Sequence, residues 1–219
     1  MGTITRNFAN NLTTSGLLKP TAFNNDSFDN VTAVPSGSVE TGDMQFISSA
    51  TASSSASIEF TSGIDSTYKE YVFYFNNIHP ATDNVKFQIN FSTDGGTNYN
   101  VTKTTTFFTA YHREDDAEAN VVYQGDLDLA QDTGFKSISN GIGNENDQSG
   151  SGYLHLFNPS STTYVKQFQS QMCIDEFRSF LHVGHTGGYA NTTSAINAVK
   201  FQMTSGNIDA GQILLYGIN

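Results

Sequence analysis

The chain has no tryptophan, one cysteine and four prolines, and its ten lysines and arginines stand against 21 aspartates and glutamates. Each shortage excludes something. Cys173 has no second cysteine to bond, so no internal disulfide forms and nothing in the chain calls for an oxidising compartment. A net charge of −11 with three arginines is poorly suited to displacing counterions from a phosphate backbone, which argues against nucleic acid as a partner. No apolar run approaches the roughly 18 residues of a membrane span, and the opening MGTITRNFANN holds no apolar stretch of the signal-peptide kind. The expectation is a soluble protein without membrane insertion, not exported by the usual route.

What replaces the missing charge is threonine, serine and asparagine, at 25, 23 and 21 residues. Threonine favours strands, while asparagine and serine favour turns, so the composition suits many short strands joined by polar loops. From Ile58 onward the pattern agrees. Short runs of period two alternate with Gly, Asn, Asp and Pro, and helix signals are nearly absent. YVFYF (residues 71–75) reads as a central strand buried on both faces, and KFQINF (residues 86–91) alternates with Phe87, Ile89 and Phe91 on one side. Further strands are expected within residues 99–108, 120–123, 134–138, 153–157, 164–172, 179–183, 196–203 and 212–218. In residues 164–172 the spacing of Val165, Phe168 and Met172 also fits a helix, although the alternating QFQSQ favours a strand. This number and spacing predict an all-β fold, an antiparallel β-sandwich of jelly-roll type.

Residues 1–57 differ. They hold scattered apolar islands (Phe8, Leu12, Leu17, Leu18, Phe23, Phe28, and residues 44–47) and a run of small side chains, SSATASSSAS, at residues 48–57. Such a segment buries too little surface to offset its own ordering entropy. It reads either as a disordered tail or as an arm that orders against a partner or a neighbouring copy. The division expected is an extended N-terminal arm over residues 1–57 and a sandwich over residues 58–219.

STDGGTNY (residues 92–99) fits the Ser-x-Asp-x-Gly-x-x-aromatic pattern of the Asp-box, best known from sialidases. A six-bladed propeller needs about 40 residues per blade, and the roughly 160 residues after Ile58 cannot supply it. The arginine cluster of such an enzyme would have to come from Arg6, Arg113 and Arg178. The motif is therefore expected to be a hairpin turn, with Asp94 accepting loop amides, Gly95 and Gly96 at positive φ, and Tyr99 opening the next strand.

Other clusters are weaker. His182 and His185 could hold a metal if a turn brought them together, but residues three apart on a strand face opposite sides, and a surface loop after a strand is the favoured reading. Residues 112–118 (HREDDAE) and 144–148 (NENDQ) could hold calcium, yet neither has regular ligand spacing, so solvated turns are favoured. No catalytic set, metal site or cofactor is expected, and the residues point to a binding or structural protein rather than an enzyme.

Four stretches also carry a resemblance: YKEYVFYFNNIHPATD (68–83), FQINFSTDGGTNY (87–99), YLHLFNPSSTTYVK (153–166) and SGNIDAGQILLYGI (205–218). In this order the chain resembles the virion structural, tail-fibre-like proteins of tailed bacteriophages that infect marine bacteria, over about residues 60–219, the closing LYGI being the most specific part. The resemblance implies a β-sandwich component of the particle surface, a tail fibre, spike or capsid decoration, assembled in the host cytoplasm and present in several copies. It implies attachment to other virion proteins, for which the arm is suited, and by analogy with surface fibres a homotrimer. The alternative is a carbohydrate-binding module for host recognition, with a host-surface glycan as partner. Ten tyrosines and Asn/Asp-rich loops favour it, and the lack of tryptophan counts against it.

Overall fold

The computed structural model describes residues 44–218, so the expected arm lies outside the described residues up to position 43. Twelve strands follow: β1 (Met44–Thr51), β2 (Ile58–Phe60), β3 (Glu70–Pro80), β4 (Phe87–Ser92), β5 (Lys103–Arg113), β6 (Ala119–Tyr123), β7 (Lys136–Ser137), β8 (Gly150–Phe157), β9 (Lys166–Glu176), β10 (Phe180–Ala190), β11 (Ala198–Met203) and β12 (Ile208–Ile218). Apart from one 3-10 turn at Gly125–Leu127, the described residues hold no helix. Residues 164–172, whose spacing also fits a helix, run into β9. Their alternation decides it: Phe168, Ser170 and Met172 are buried, while Gln167, Gln169 and Gln171 lie on the other face.

The strands form an eight-stranded sheet, β1-β12-β3-β8-β9-β10-β5-β6, and a four-stranded sheet, β2-β11-β4-β7. Every ladder is antiparallel. The pairing is nested: β1 with β12, β2 with β11, β3 with β8, and β4 with β7. First pairs with last and second with next-to-last, and successive pairs alternate between the two sheets. That is the double Greek key of a jelly roll. Two insertions enlarge it. β5 and β6 come between β4 and β7, β9 and β10 between β8 and β11, and all four extend the larger sheet beyond β8.

The core lies between the sheets. Tyr71, Phe73 and Phe75 point inward from β3 while Val72 and Tyr74 face outward, as the doubly apolar run requires. Phe73 and Phe75 meet Phe60, Phe87 and Phe201 from the smaller sheet at ring separations of 5.3–5.4 Å, edge to face. Each such ring buries a large apolar area and gains further from edge-to-face geometry.

The expected boundary near Ile58 is displaced. β1 pairs along its length with β12, Ala52 N–H donates to Gly211 O (2.8 Å), and Ser55 bridges to Ile208. Residues 44–57 therefore belong to the sandwich rather than to an arm. Backbone ladder bonds hold an edge strand without large side chains, so the small residues at 48–57 are compatible with a strand that composition alone does not favour.

Candidate functional site

The two sheets differ in width, eight strands against four, so the inner faces of β10, β5 and β6 run past the smaller sheet. Part of that overhang is covered by the connection from β6 to β8, in which Ile142 bridges to Val85 on one side and Glu176 on the other. What stays open is a cleft of about 460 Å³. Its walls come from separate segments: Asn84 and Lys86 before β4, Tyr111 on β5, Glu118 to Gln124 around β6, Asn140 and Gly141, and the β9–β10 turn with Glu176, Phe177, Arg178, Phe180 and His182.

Alternation places the aromatic side. Tyr111 and His182 are register partners on adjacent strands, and their rings stack at 5.3 Å. Phe180 packs edge-on to Tyr111 at 5.8 Å and also carries the guanidinium of Arg178 over its face at 5.2 Å. Glu176 and Arg178 pair with each other. Arg178 donates through Nε (3.1 Å) and Nη2 (2.9 Å) to Glu176 Oε1, and its backbone N–H donates to Oε2 (2.9 Å). Glu176 raises the guanidinium's already high pKa, which keeps this ion pair intact. Tyr111 donates its hydroxyl to Glu118 Oε1 (2.7 Å), and that bond raises the phenol's pKa.

Two buried polar atoms on this wall are left over. Asn140 gives its Nδ2 to Gln124 Oε1 (2.9 Å), but its Oδ1 is buried without a partner. His182 is 6% exposed and its Nε2 has no partner either. Burial pushes the His182 pKa down, with Glu176 opposing and Arg178 reinforcing the shift, so the ring is neutral near pH 7. Nδ1 lies 3.4 Å from Thr109 Oγ1, which also lies within hydrogen-bond distance of Val183 O (3.3 Å). If the hydroxyl donates to that carbonyl, it accepts from Nδ1–H, and Nε2 then carries a free lone pair.

No protein-family model matches the chain, and no curated protein or solved structure matches it.

The residues singled out from sequence fall elsewhere or are already engaged. In the Asp-box, Asp94 Oδ1 accepts from Ser92 Oγ (2.6 Å) and Asn98 N–H (2.8 Å), and Oδ2 accepts from Asn98 Nδ2 (2.7 Å). These bonds, that from Ser92 foremost, hold the carboxyl down at about 2. Gly95 and Gly96 have φ of +70° and +90°. The turn is not a hairpin, however. β4 pairs with β11 and β7, whereas β5 begins only at Lys103 and joins the other sheet. Asp-box polar groups thus stabilise a crossing between sheets, and Tyr99 donates to Glu59 Oε2 (3.1 Å) on β2.

His182 and His185 both lie within β10, not in a loop after a strand. They face opposite sides, His185 stacking on Phe108 at 4.8 Å. In the 112–118 turn, Asp116 holds His112 (2.9 Å) and Asp115 holds Arg113 (3.2 Å). In 144–148, Gln148 Oε1 accepts from Glu145 N–H (3.1 Å) and its backbone carbonyl contacts His79 Nδ1 (2.7 Å). Among the described residues no three His, Cys, Asp or Glu side chains stand close enough to hold a metal ion. Arg6 lies outside the described residues, while Arg113 and Arg178 both reach the Phe180 ring at the cleft.

Proposed function

We propose that this chain is a structural protein of a bacteriophage particle, a tail fibre, spike or capsid decoration, that displays its jelly roll from the virion surface and is attached through residues ahead of β1. The observation that carries the reading is where the four family-like stretches fall. Residues 68–83, 153–166 and 205–218 contribute β3, β8 and β12, and these three are neighbours in the larger sheet although far apart in sequence. Residues 87–99 supply β4 and the Asp-box turn facing them. The four stretches thus supply β3, β4, β8 and β12, half of the eight strands of the nested frame, and of the inserted strands they reach only Lys166 at the start of β9, which suits a reading in which a shared scaffold carries the likeness. Mass spectrometry of purified particles from cells producing this chain tests the reading. Recovery in mature particles at stoichiometric amounts supports it, and absence from them refutes it.

Association into a homotrimer through the outer face of the larger sheet belongs to the same reading. Met44, Phe46, Phe108, Val121, Tyr123 and Leu181 are exposed there, and rings from Phe46 through Tyr216 and Tyr74 to Tyr153 touch in sequence at 5.5–6.5 Å. Apolar surface of that extent favours burial against another copy. Light scattering on the full chain should report three copies, and a monomer at all concentrations would remove this part.

A further inference from the structure

We propose that the cleft between the inner faces of β5 and β10 and the 140–141 loop is a binding site for a neutral saccharide, a function beyond a scaffold role and independent of how the protein is mounted. Size comes first: about 460 Å³ lies within the range of about 300 to 1,000 Å³ occupied by small-ligand sites. Charge comes next. Glu176 and Arg178 neutralise each other, and Glu118 already accepts from Tyr111. With Lys86 also on the wall, two cationic and two anionic side chains line the cleft and their formal charges sum to zero, which suits a neutral ligand.

The leftover hydrogen-bonding capacity then selects the ligand. Buried polar atoms are nearly always satisfied, and an unsatisfied one costs stability. Here His182 Nε2 and Asn140 Oδ1 are both buried at the wall without a partner. With Nε2 as acceptor, both atoms need donors. A fully ionised group such as a carboxylate or a phosphate diester offers only acceptors. A sugar ring offers O–H donors to these atoms, oxygen acceptors to Arg178 and Gln124, and C–H faces to Tyr111 and Phe180. Neutral His182 suits the same role, because its lone pair is lost on protonation and binding should weaken below the ring's own titration range.

The test uses the full chain, isotope-labelled, with backbone amide shifts followed during titration with methyl glycosides of glucose, galactose and N-acetylglucosamine, and with methylammonium chloride and inorganic phosphate as separate arms. Expected is a saturable response to at least one glycoside, with perturbed amides grouped around Tyr111, Glu118, Gln124, Asn140 and Phe180. Asn140→Ala and His182→Phe should each weaken that glycoside by about tenfold or more, while Asp209→Ala, far along β12, should leave it unchanged. Should either cleft variant fail to fold, the wild-type shift map still decides. The proposal is overturned by no glycoside response, by perturbations grouped elsewhere, by affinity that survives both cleft substitutions, or by a response only to methylammonium or phosphate.

Discussion

Stability should rise, not fall, as pH climbs from about 7.5 to about 9.5, because two lysines are folded into the interior without a carboxylate beside them. Lys103 and Lys136 are both 0% exposed. The Lys103 ammonium donates to Asn90 Oδ1 (2.6 Å) and Val101 O (2.7 Å), and that of Lys136 donates to Leu127 O (2.8 Å) and sits 4.9 Å over the Phe107 ring. Carbonyls and a ring face only partly replace water, and burial lowers both groups from 10.5 to about 8. The more distant Asp132 pulls Lys103 the other way, as do Asp128 and Asp126 for Lys136, without reversing the shift.

The unfolded chain thus keeps its protons over an interval in which the folded chain has lost them, so stability increases with pH across it. A gap of about 2.5 pH units at about 1.36 kcal/mol per unit makes the charged form of each lysine costly by about 3 kcal/mol at neutral pH. Between about pH 7.5 and 9.5 roughly 2 kcal/mol of this is recovered per lysine, hence about 4 kcal/mol for the two. Lys166, whose ammonium donates to Thr192 O (2.9 Å), is lowered by burial as well and acts in the same direction. Tyr71, Tyr99 and Tyr111 have raised pKa values and reverse the trend only above about pH 10, where the unfolded phenols ionise first. Urea unfolding at constant ionic strength measures the effect. Lys136→Met, similar in length and uncharged, should remove about half of the rise and lose little stability at neutral pH. A flat or falling free energy of unfolding across the window in the wild type, or an unaltered slope in Lys136→Met, refutes the reasoning.

Asp94→Ala should lower the melting temperature at neutral pH without altering any glycoside response. Because the folded carboxyl titrates at about 2 rather than 3.8, its contribution is complete above the latter value, and the two proteins should converge as acid approaches the former. Gly95→Ala and Gly96→Ala should separate: both sit at positive φ, costing about 1 kcal/mol, but a Cβ at Gly95 meets nothing within 4 Å, whereas one at Gly96 comes within 2.8 Å of Thr61 Cγ2 and 2.9 Å of the Tyr99 hydroxyl. Equal melting temperatures for these two variants would contradict the turn geometry. Phe201→Ala removes the ring shared by Phe60, Phe73, Phe75 and Phe87 and should cost about 3 to 5 kcal/mol in urea unfolding.

Strands that alternate strongly against the core are legible in the amino-acid sequence alone. β3, β4 and β12 stand where their apolar periods put them, since burial of one face determines both element and register. β1 is not legible in this way, because its stabilising interactions are largely ladder bonds to a strand at the other end of the chain, and composition carries no trace of those. The buried lysines leave a faint trace. Lys103 is in phase with Thr105 and Phe107, the inward positions of β5, but a lysine in phase with apolar residues is ordinarily taken for a surface residue that snorkels. The cleft is invisible in the sequence for a different reason: Asn84, Tyr111, Gln124, Asn140 and His182 come from separate segments, and only the overhang of one sheet past the other brings them together. The Asp-box shows the opposite failure. Its local bonding can be read from eight residues, whereas the destination of the following strand is a property of the whole fold.

The nested pairing also determines how the sandwich responds to tension. Met44 and Ile218 are direct partners in the β1–β12 ladder, so the two ends of the described chain leave the same edge side by side. Pulling them apart loads the ladder one rung at a time, like opening a zip, rather than shearing all its rungs together. A pull between the Met44 end and a ligand held in the cleft takes another route. It crosses the larger sheet from its β1 edge to β10 and β5, loading many parallel rungs at once. The same molecule would then be weak when stretched end to end and strong when stretched between its anchor side and its cargo.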